Sequence, residues 1–295
     1  MGHITPVVCV GALHIDAKAR VAGRVLPGTS NPAVVTRTPG GVACNVARTL
    51  ARLGVPVSIV SVVGDDEIGR GLLARIAAEG VGIDDVVVLS DAATAGYTAV
   101  LDGGGALALG IADMAIYDHL DAAVIAPAVA RHGESVLWCA DANPAPDGLG
   151  ALAGVVRSLY LDPVSVAKAP RLLPLLSGAA AVFPDAAEAE ALTGTGDPEA
   201  AVRSLLASGV ARVVVTLGPA GVLDSEGMVR RPAIASGPVA DVTGAGDSLL
   251  AGFLAAVARG ESDPVGWGLA AASLAVETVE NVVDLSVEMV RERLS

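Results

Sequence analysis

The chain has 295 residues, 53% hydrophobic and 17% charged, a balance opposite to that of a disordered protein. Its formal net charge of −13 argues against a nucleic-acid partner, because phosphate-backbone contacts need a basic surface. Mean hydropathy is high, at +0.61. The longest apolar stretches, such as 249–258, still fall well short of the roughly 18 residues a membrane span needs, so no membrane partner is expected.

The residues leading to Asp16 carry no basic region followed by an apolar stretch and a cleavage site, so they read directly as a first strand. Cys9, Cys44 and Cys139 are odd in number and widely spaced. That pattern excludes a disulfide framework and a CxxC site, leaving buried reduced thiols in a cytoplasmic protein. Aromatic residues are only 2% of the chain, so the core must be built from Ala, Val, Leu and Ile.

Short β-branched runs at 7–10, 57–63, 86–89, 136–140, 180–183 and 213–216 have the composition of strands buried on both faces. Ala/Leu-rich runs at 42–53, 68–79, 200–207 and 248–259 read as helices. Their alternation predicts an α/β fold, a parallel sheet covered by helices on both sides with right-handed crossovers. Two segments break the rhythm. Residues 17–38 lack a helical period and carry the turn signals Pro27-Gly28 and Asn31-Pro32. Residues 97–111 place apolar runs either side of Asp102-Gly103-Gly104-Gly105, as in a hairpin. Together they predict a small β-sheet outside the main layer, suited to a lid or a dimer surface. With no linker or repeat, the expectation is one domain over 1–295 bearing that flap.

The most informative segment is Asp241-Val-Thr-Gly-Ala-Gly-Asp247, which runs straight into an Ala/Leu helix. Gly244 and Gly246, with Ala245 between them, let backbone N–H groups converge, and the helix start adds partial positive charge. This makes an anion site without a Lys or Arg. Asp247 sits beside it in the first turn, where phosphoryl transfer needs a base near the attacking hydroxyl. Read locally, the same residues also fit a solvent-exposed cap before an ordinary helix. A P-loop is absent, because no Gly-Lys-Ser/Thr triplet occurs, and the dinucleotide fingerprint fails where Leu249 replaces its third glycine. A second candidate is Gly40-Gly41 opening the helix at 42–53, with Asn45 in its first turn able to donate and accept toward a hydroxyl. Asp16 follows the first strand, at the edge where open α/β sheets bind ligands. It reads as a carboxylate for a vicinal diol or as a turn residue.

These residues, in this order and over nearly the whole chain, resemble the ribokinase-like (PfkB) family of carbohydrate and nucleoside kinases. The resemblance implies a three-layer α/β/α fold with a mostly parallel sheet and a small β-sheet lid. It implies Asp247 as general base and Gly244, Ala245 and Gly246 as anion hole. It also implies Asp16, Gly40, Gly41 and Asn45 around the sugar hydroxyls. Glu188 matches the glutamate of the Mg²⁺–phosphate shell, with Asp185 standing where the family usually has Asn. Thr216, Gly218 and Gly221 match the turn along ATP, and Asp241 and Thr243 match positions that bind a monovalent cation such as K⁺ in many members. A finer likeness, to the pseudouridine kinases, rests on Ser30-Asn31-Pro32, Thr98, Ala112-Asp113-Met114 and the run from Asp162 to Lys168. That branch implies phosphorylation of the 5′-hydroxyl of pseudouridine, with Ser30, Asn31, Thr98 and Asp113 on the substrate side and a homodimer formed through the lid. Lys168 reads either as a phosphate neutraliser or as a solvated face, Asp113 as a contact or a cap, and His14 as packing. Asp141 and Asn143 could face the phosphates. The competing readings are a kinase for ribose, fructose or a purine nucleoside, and a nucleoside sensor without catalysis.

Overall fold

The computed structural model describes residues 3–154, 156–234, 237–278 and 282–295. The expected single span 1–295 therefore includes a few residues outside the described ones. Strand β1 (Val7–Val10) is followed by β2 (His14–Val21), β3 (Ala33–Gly40), α1 (Val42–Arg52), β4 (Val57–Gly64), α2 (Glu67–Ala78) and β5 (Gly82–Leu89). The middle of the chain forms β6 (Gly96–Leu101), β7 (Leu107–Asp113), α3 (Ala122–His132), β8 (Leu137–Asp141), α4 (Pro146–Gly150) and β9 (Leu159–Asp162). The remainder forms β10 (Ala181–Val182), α5 (Ala186–Thr193), α6 (Pro198–Ala207), β11 (Val214–Thr216), β12 (Val222–Asp224), β13 (Val229–Arg231), α7 (Ala245–Arg259), α8 (Pro264–Ala275) and α9 (Val287–Leu294).

The central sheet runs β10-β9-β8-β1-β4-β5, and all its pairs are parallel. Single parallel bridges, Val182 with Val213 and Asp185 with Thr216, carry it on toward β11, after which β12 and β13 pair antiparallel. Successive residues of a strand point to opposite faces. In β1, Val7 and Cys9 enter the core beneath α1, α7 and α8, while Val8 and Val10 enter the one beneath α3 and α4. Leu137 and Cys139 against Trp138 and Ala140 repeat this in β8. The inner strands are buried on both faces and read as apolar runs, but edge strand β5 is not: Val87 and Val88, expected to be buried, are exposed. The fold is the three-layer ribokinase-like α/β/α arrangement. Among the described residues, no helix is long and apolar enough to cross a membrane.

The strand order reverses at β1, which lies between β4 and β8. Ligands of open α/β sheets bind at such a switch point, outside the carboxyl ends of the strands. Here β8 and β9 end on Asp141 and Asp162, partners in register, and Asp185 follows β10. The four-stranded sheet β3-β2-β6-β7 stands apart. It is wider than the expected flap, because β2 begins at His14 and β3 runs to Gly40. This corrects the placement of Asp16. It is neither at the end of the first strand nor in a turn, but in β2, paired with Thr38 and Tyr97.

One buried carboxylate ties the sheet to the segment that follows it. Asp141 Oδ2 accepts from the amides of Ala12 (2.9 Å) and Ala43 (3.1 Å), and Oδ1 accepts from the Asn143 amide (2.8 Å) and Asn143 Nδ2 (2.9 Å). It thereby satisfies an open N–H at the start of α1, which Gly41 as cap residue cannot do. Gly11 has φ +148°, and a Cβ there would overlap the Asp141 carboxylate. Gly11→Ala is expected to lower the urea midpoint by a cost on the order of 1–3 kcal/mol, at an unchanged m value, in an equilibrium denaturation series.

Candidate active site

Two glycine-led helix starts face each other across the sheet edge. Gly41 precedes α1 with φ +101°, and a Cβ there would overlap the Ala12 carbonyl. Gly244 precedes α7 in the left-handed region at φ +80°. That turn starts α7 at Ala245, three residues before the helix expected from periodicity, so that Ala245, Gly246 and Asp247 all lie in its first turn. Asn45 Nδ2 donates to Asp247 Oδ2 at 2.8 Å across 202 residues of sequence. The bond brings the early and late motifs into one cleft, and Asp247 lines its floor. Asn45 is 6% exposed, yet its Oδ1 has no partner, a buried acceptor left open for a ligand donor.

Asp247 is half-buried within the cleft. Burial pushes its carboxyl up to about 6, the Asn45 amide opposes this, and the carboxylates of Asp141 and Asp16 add to the rise. Next to it lies a cavity of about 250 Å³ lined by Asp162, Asp185, Glu188 and Asp247. Burial, then the neighbouring Asp247 and Glu188, holds Asp162 well above the ordinary carboxylate range. Burial likewise raises Glu188. A second cavity of about 490 Å³, mostly apolar, is lined by Gly218, Gly221, Val242, Ala245 and Leu269 and shares Thr216, Gly246 and Leu249 with the first. A Cβ on Gly246 would meet only open space, so this glycine keeps the junction of the two cavities clear.

The nucleotide-side residues converge. Thr216 ends β11 and bridges to Asp185. Gly218 and Gly221 both have positive φ in the turn that follows. Asp185 caps α5: its Oδ1 accepts from the Glu188 amide at 2.7 Å, while Glu188 Oε2 accepts from the Asp185 amide at 2.9 Å. An Asp in place of Asn costs nothing in this role, because both cap well. Asp241 Oδ1 accepts from the Thr243 amide (2.9 Å) and hydroxyl (2.7 Å), and its Oδ2 pairs with Lys18 Nζ at 3.2 Å. Partial burial raises its carboxyl, but those partners outweigh burial and hold it below the usual range.

On the acceptor side the agreement is partial. Asp16 packs on Gly40, whose Cβ would overlap its carboxylate. Thr98 lies in β6 beside Ala17, half-buried. Ser30 and Asn31 are on the loop between β2 and β3, outside both cavities. Asn31 closes its own loop, with Leu26 N–H donating to Oδ1 and Nδ2 donating to the Leu26 and Thr29 carbonyls, so its amide does not reach the cleft. Asp113 is exposed at the end of β7, and the helical turn at Ala115–His119 has no side-chain cap. Lys168 Nζ donates to Asn143 Oδ1, so it is half-buried and engaged rather than solvated. Sequence reasoning missed Asp162 as a cavity residue and the task of His14. The only available signal for the first was a carboxylate closing an apolar run.

The class of protein follows from this arrangement and the fold: an α/β phosphotransferase with a glycine-led helix start and a desolvated carboxylate beside it. A family model described as the pfkB family carbohydrate kinase matches residues 5–284. The chain belongs to that family, and it is a kinase with a hydroxyl acceptor. It is 30% identical to a pseudouridine kinase of Escherichia coli, over 95% of this chain and 94% of the relative. A carbohydrate kinase from Agrobacterium tumefaciens superposes with a TM-score of 0.84 at 31% identity, covering 99% and 97% of the two chains. The structure of Arabidopsis thaliana ribokinase complexed with ribose and ATP superposes at 0.81 and 22% identity, covering 99% of each chain, which shows the shared fold.

The Asn45 amide lowers the Asp247 carboxyl against the effect of burial. Asn45→Ala is therefore expected to move the Asp247 titration, followed by carboxyl carbon NMR, upward from the wild-type value of about 6. An unchanged midpoint would contradict the bond.

Proposed function

We propose that this kinase transfers the γ-phosphoryl group of ATP to the 5′-hydroxyl of a nucleoside, with pseudouridine as the acceptor. The Asn45–Asp247 bond carries the reading, because it sets a candidate base, a buried open acceptor and an anion cradle around one point. Likeness over nearly the full length to a pseudouridine kinase supports the choice of acceptor. The mostly apolar cavity beside Thr216–Gly221 suits the base and ribose of ATP, with the phosphates running toward Gly246.

In this account Asp16 and Asn45 hold the ribose hydroxyls and leave the 5′-hydroxyl toward Asp247. The acceptor oxygen bonds to the γ-phosphorus, the bond to the β-phosphate bridging oxygen breaks, Asp247 takes the hydroxyl proton, and ADP departs. The amides at Gly244 and Gly246 would neutralise the charge on the migrating group, whereas the Ala245 N–H expected beside them donates to the Val242 carbonyl at 3.3 Å. Four carboxylates around one small cavity carry an excess of negative charge that fits a hard divalent cation with oxygen ligands. Among the described residues no three such side chains converge on one point, so Mg²⁺ would be held there through water by Glu188, with phosphate oxygens completing its shell, and would supply charge neutralisation to the phosphates. A monovalent cation beside Asp241 and Thr243 would share that carboxylate with Lys18. The four-stranded sheet would close as a lid to keep water from the γ-phosphate. Its exposed Val35, Leu109 and Ile111, which the register places on one face, suit a homodimer formed through that face. Dependence on ATP fits a cytoplasmic enzyme.

A kinase for another sugar or nucleoside is the second reading. It is favoured by the position of Ser30 and Asn31, which stay on their exposed loop. A coupled assay across pseudouridine, uridine, ribose, fructose, adenosine and inosine separates the two. The expected result is the highest kcat/KM with pseudouridine, and a higher value for ribose or a purine nucleoside would overturn that choice. Asp247→Asn is expected to lower kcat on the order of 10²-fold or more while leaving ATP and acceptor binding nearly intact. Near-normal turnover in that variant would remove Asp247 from the role of base.

A further inference from the structure

Composition and spacing give His14 no chemical task, yet its ring is bonded at both nitrogens. His14 opens β2 and is 9% exposed. Its Nε2 lies 3.1 Å from Asp16 Oδ1, and its Nδ1 lies 3.1 Å from the Tyr117 hydroxyl. Residues two apart on a strand share a face, which is why a histidine at 14 reaches a carboxylate at 16. Tyr117 arrives from a different part of the chain, the helical turn Ala115–His119 just after β7, and is 3% exposed. The two rings are tilted by 55° with centroids 6.4 Å apart, so the contact between them is the hydrogen bond and not stacking.

The protons can be assigned from the partners. An ionised carboxylate only accepts, so Nε2 carries the hydrogen and donates to Asp16. Neutral imidazole then has an acceptor at Nδ1, and the Tyr117 hydroxyl donates to it. Burial holds the Tyr117 hydroxyl well above its ordinary range, so it keeps its proton for the ring. On its far side the Asp16 carboxylate lies against Gly40, where a Cβ would overlap it. Asp16 is thus wedged between an imidazole donor and a bare glycine, with its plane set by both.

We propose that His14 is a positioning residue for the acceptor: it holds the Asp16 carboxylate in the orientation that receives the sugar hydroxyls, and Tyr117 holds His14 in the tautomer that allows this. The proposal rests on the kinase reading above and adds to it a relay of Tyr117, His14 and Asp16 that controls acceptor affinity. The hydrogen bonds of the relay end at Asp16 on the acceptor side, so its loss is expected to fall on that substrate. Without the tyrosine hydroxyl the Nδ1–H tautomer competes, and in that form the bare Nε2 faces the carboxylate lone pairs.

The test is a double-mutant cycle read as KM for pseudouridine, or for whichever acceptor of the panel the wild type phosphorylates fastest, alongside KM for ATP, kcat and thermal midpoint. His14→Phe is expected to raise the acceptor KM about 10- to 100-fold, as for a lost hydrogen bond to a charged group, with KM for ATP unchanged within about twofold. Tyr117→Phe is expected to raise the acceptor KM by a smaller factor. The double variant is expected to match His14→Phe alone, because the hydroxyl acts only through the imidazole. His14→Gln, whose amide N–H can stand in for Nε2–H, is expected to recover part of the affinity. Unchanged acceptor KM in His14→Phe, a parallel rise in KM for ATP, or full additivity in the cycle would overturn the relay while leaving the kinase reading intact. A wild type that phosphorylates no acceptor would take down both.

Discussion

The site depends on one hydrogen bond between two helix starts. Asn45 in α1 and Asp247 in α7 are 202 residues apart in sequence and 2.8 Å apart in space. Each sits in the first turn of a helix whose preceding glycine has a positive φ. The bond sets the distance between the part of the cleft suited to a sugar and the part suited to phosphate. A chain with net charge −13 cannot gather polyphosphate by its overall field, so the proposed reaction needs local donors, such as the main-chain N–H groups of a helix start. Burial, with a smaller push from the neighbouring acids Asp141 and Asp16, raises the Asp247 carboxyl to about 6.

That edge is assembled by topology. Parallel strands ending in register deliver Asp141 and Asp162 side by side, and the short β10 delivers Asp185. Two of these acids differ sharply in employment. Asp141 spends its acceptor capacity on four protein donors and fixes α1 to the sheet. Asp162 faces the cavity with one such bond, from the Val164 amide at 2.8 Å, and shares the cavity wall with Glu188 and Asp247. Similar carboxylates at neighbouring strand ends thus serve scaffold and site.

Much of this was legible in the sequence, and the limits have physical reasons. The alternation of β-branched and Ala/Leu runs reflects a sheet buried on both faces. The two glycine turns are visible because only glycine tolerates their backbone angles, at Gly41 and Gly244. By contrast, α8 has small and apolar residues on every side and carries no period to read. The start of α7 was misjudged by three residues because the cap is an αL glycine and not a side chain. Asp16 reads as a residue just after the first strand or in a turn, and not as part of β2, because the strand boundary at His14 depends on pairing with Gly40, a long-range partner. The inward reach expected of Asn31 failed for a local reason: its amide is satisfied within five residues. The bonds of His14 and Asp141 join segments about 100 residues or more apart, and no spacing rule foresees such contacts.

The central claim is that a desolvated Asp247 accepts the acceptor's proton beside a neutral anion cradle. Its most direct test is the pH dependence of kcat/KM for the acceptor, which reports groups of the free enzyme. With the carboxyl raised to about 6, the base is protonated below that pH and free above it. The profile should therefore rise through pH 6 to a plateau, and Asp247→Asn should lose that limb. A profile flat from about pH 5 to 8, or a limb that survives in Asp247→Asn, would contradict the account.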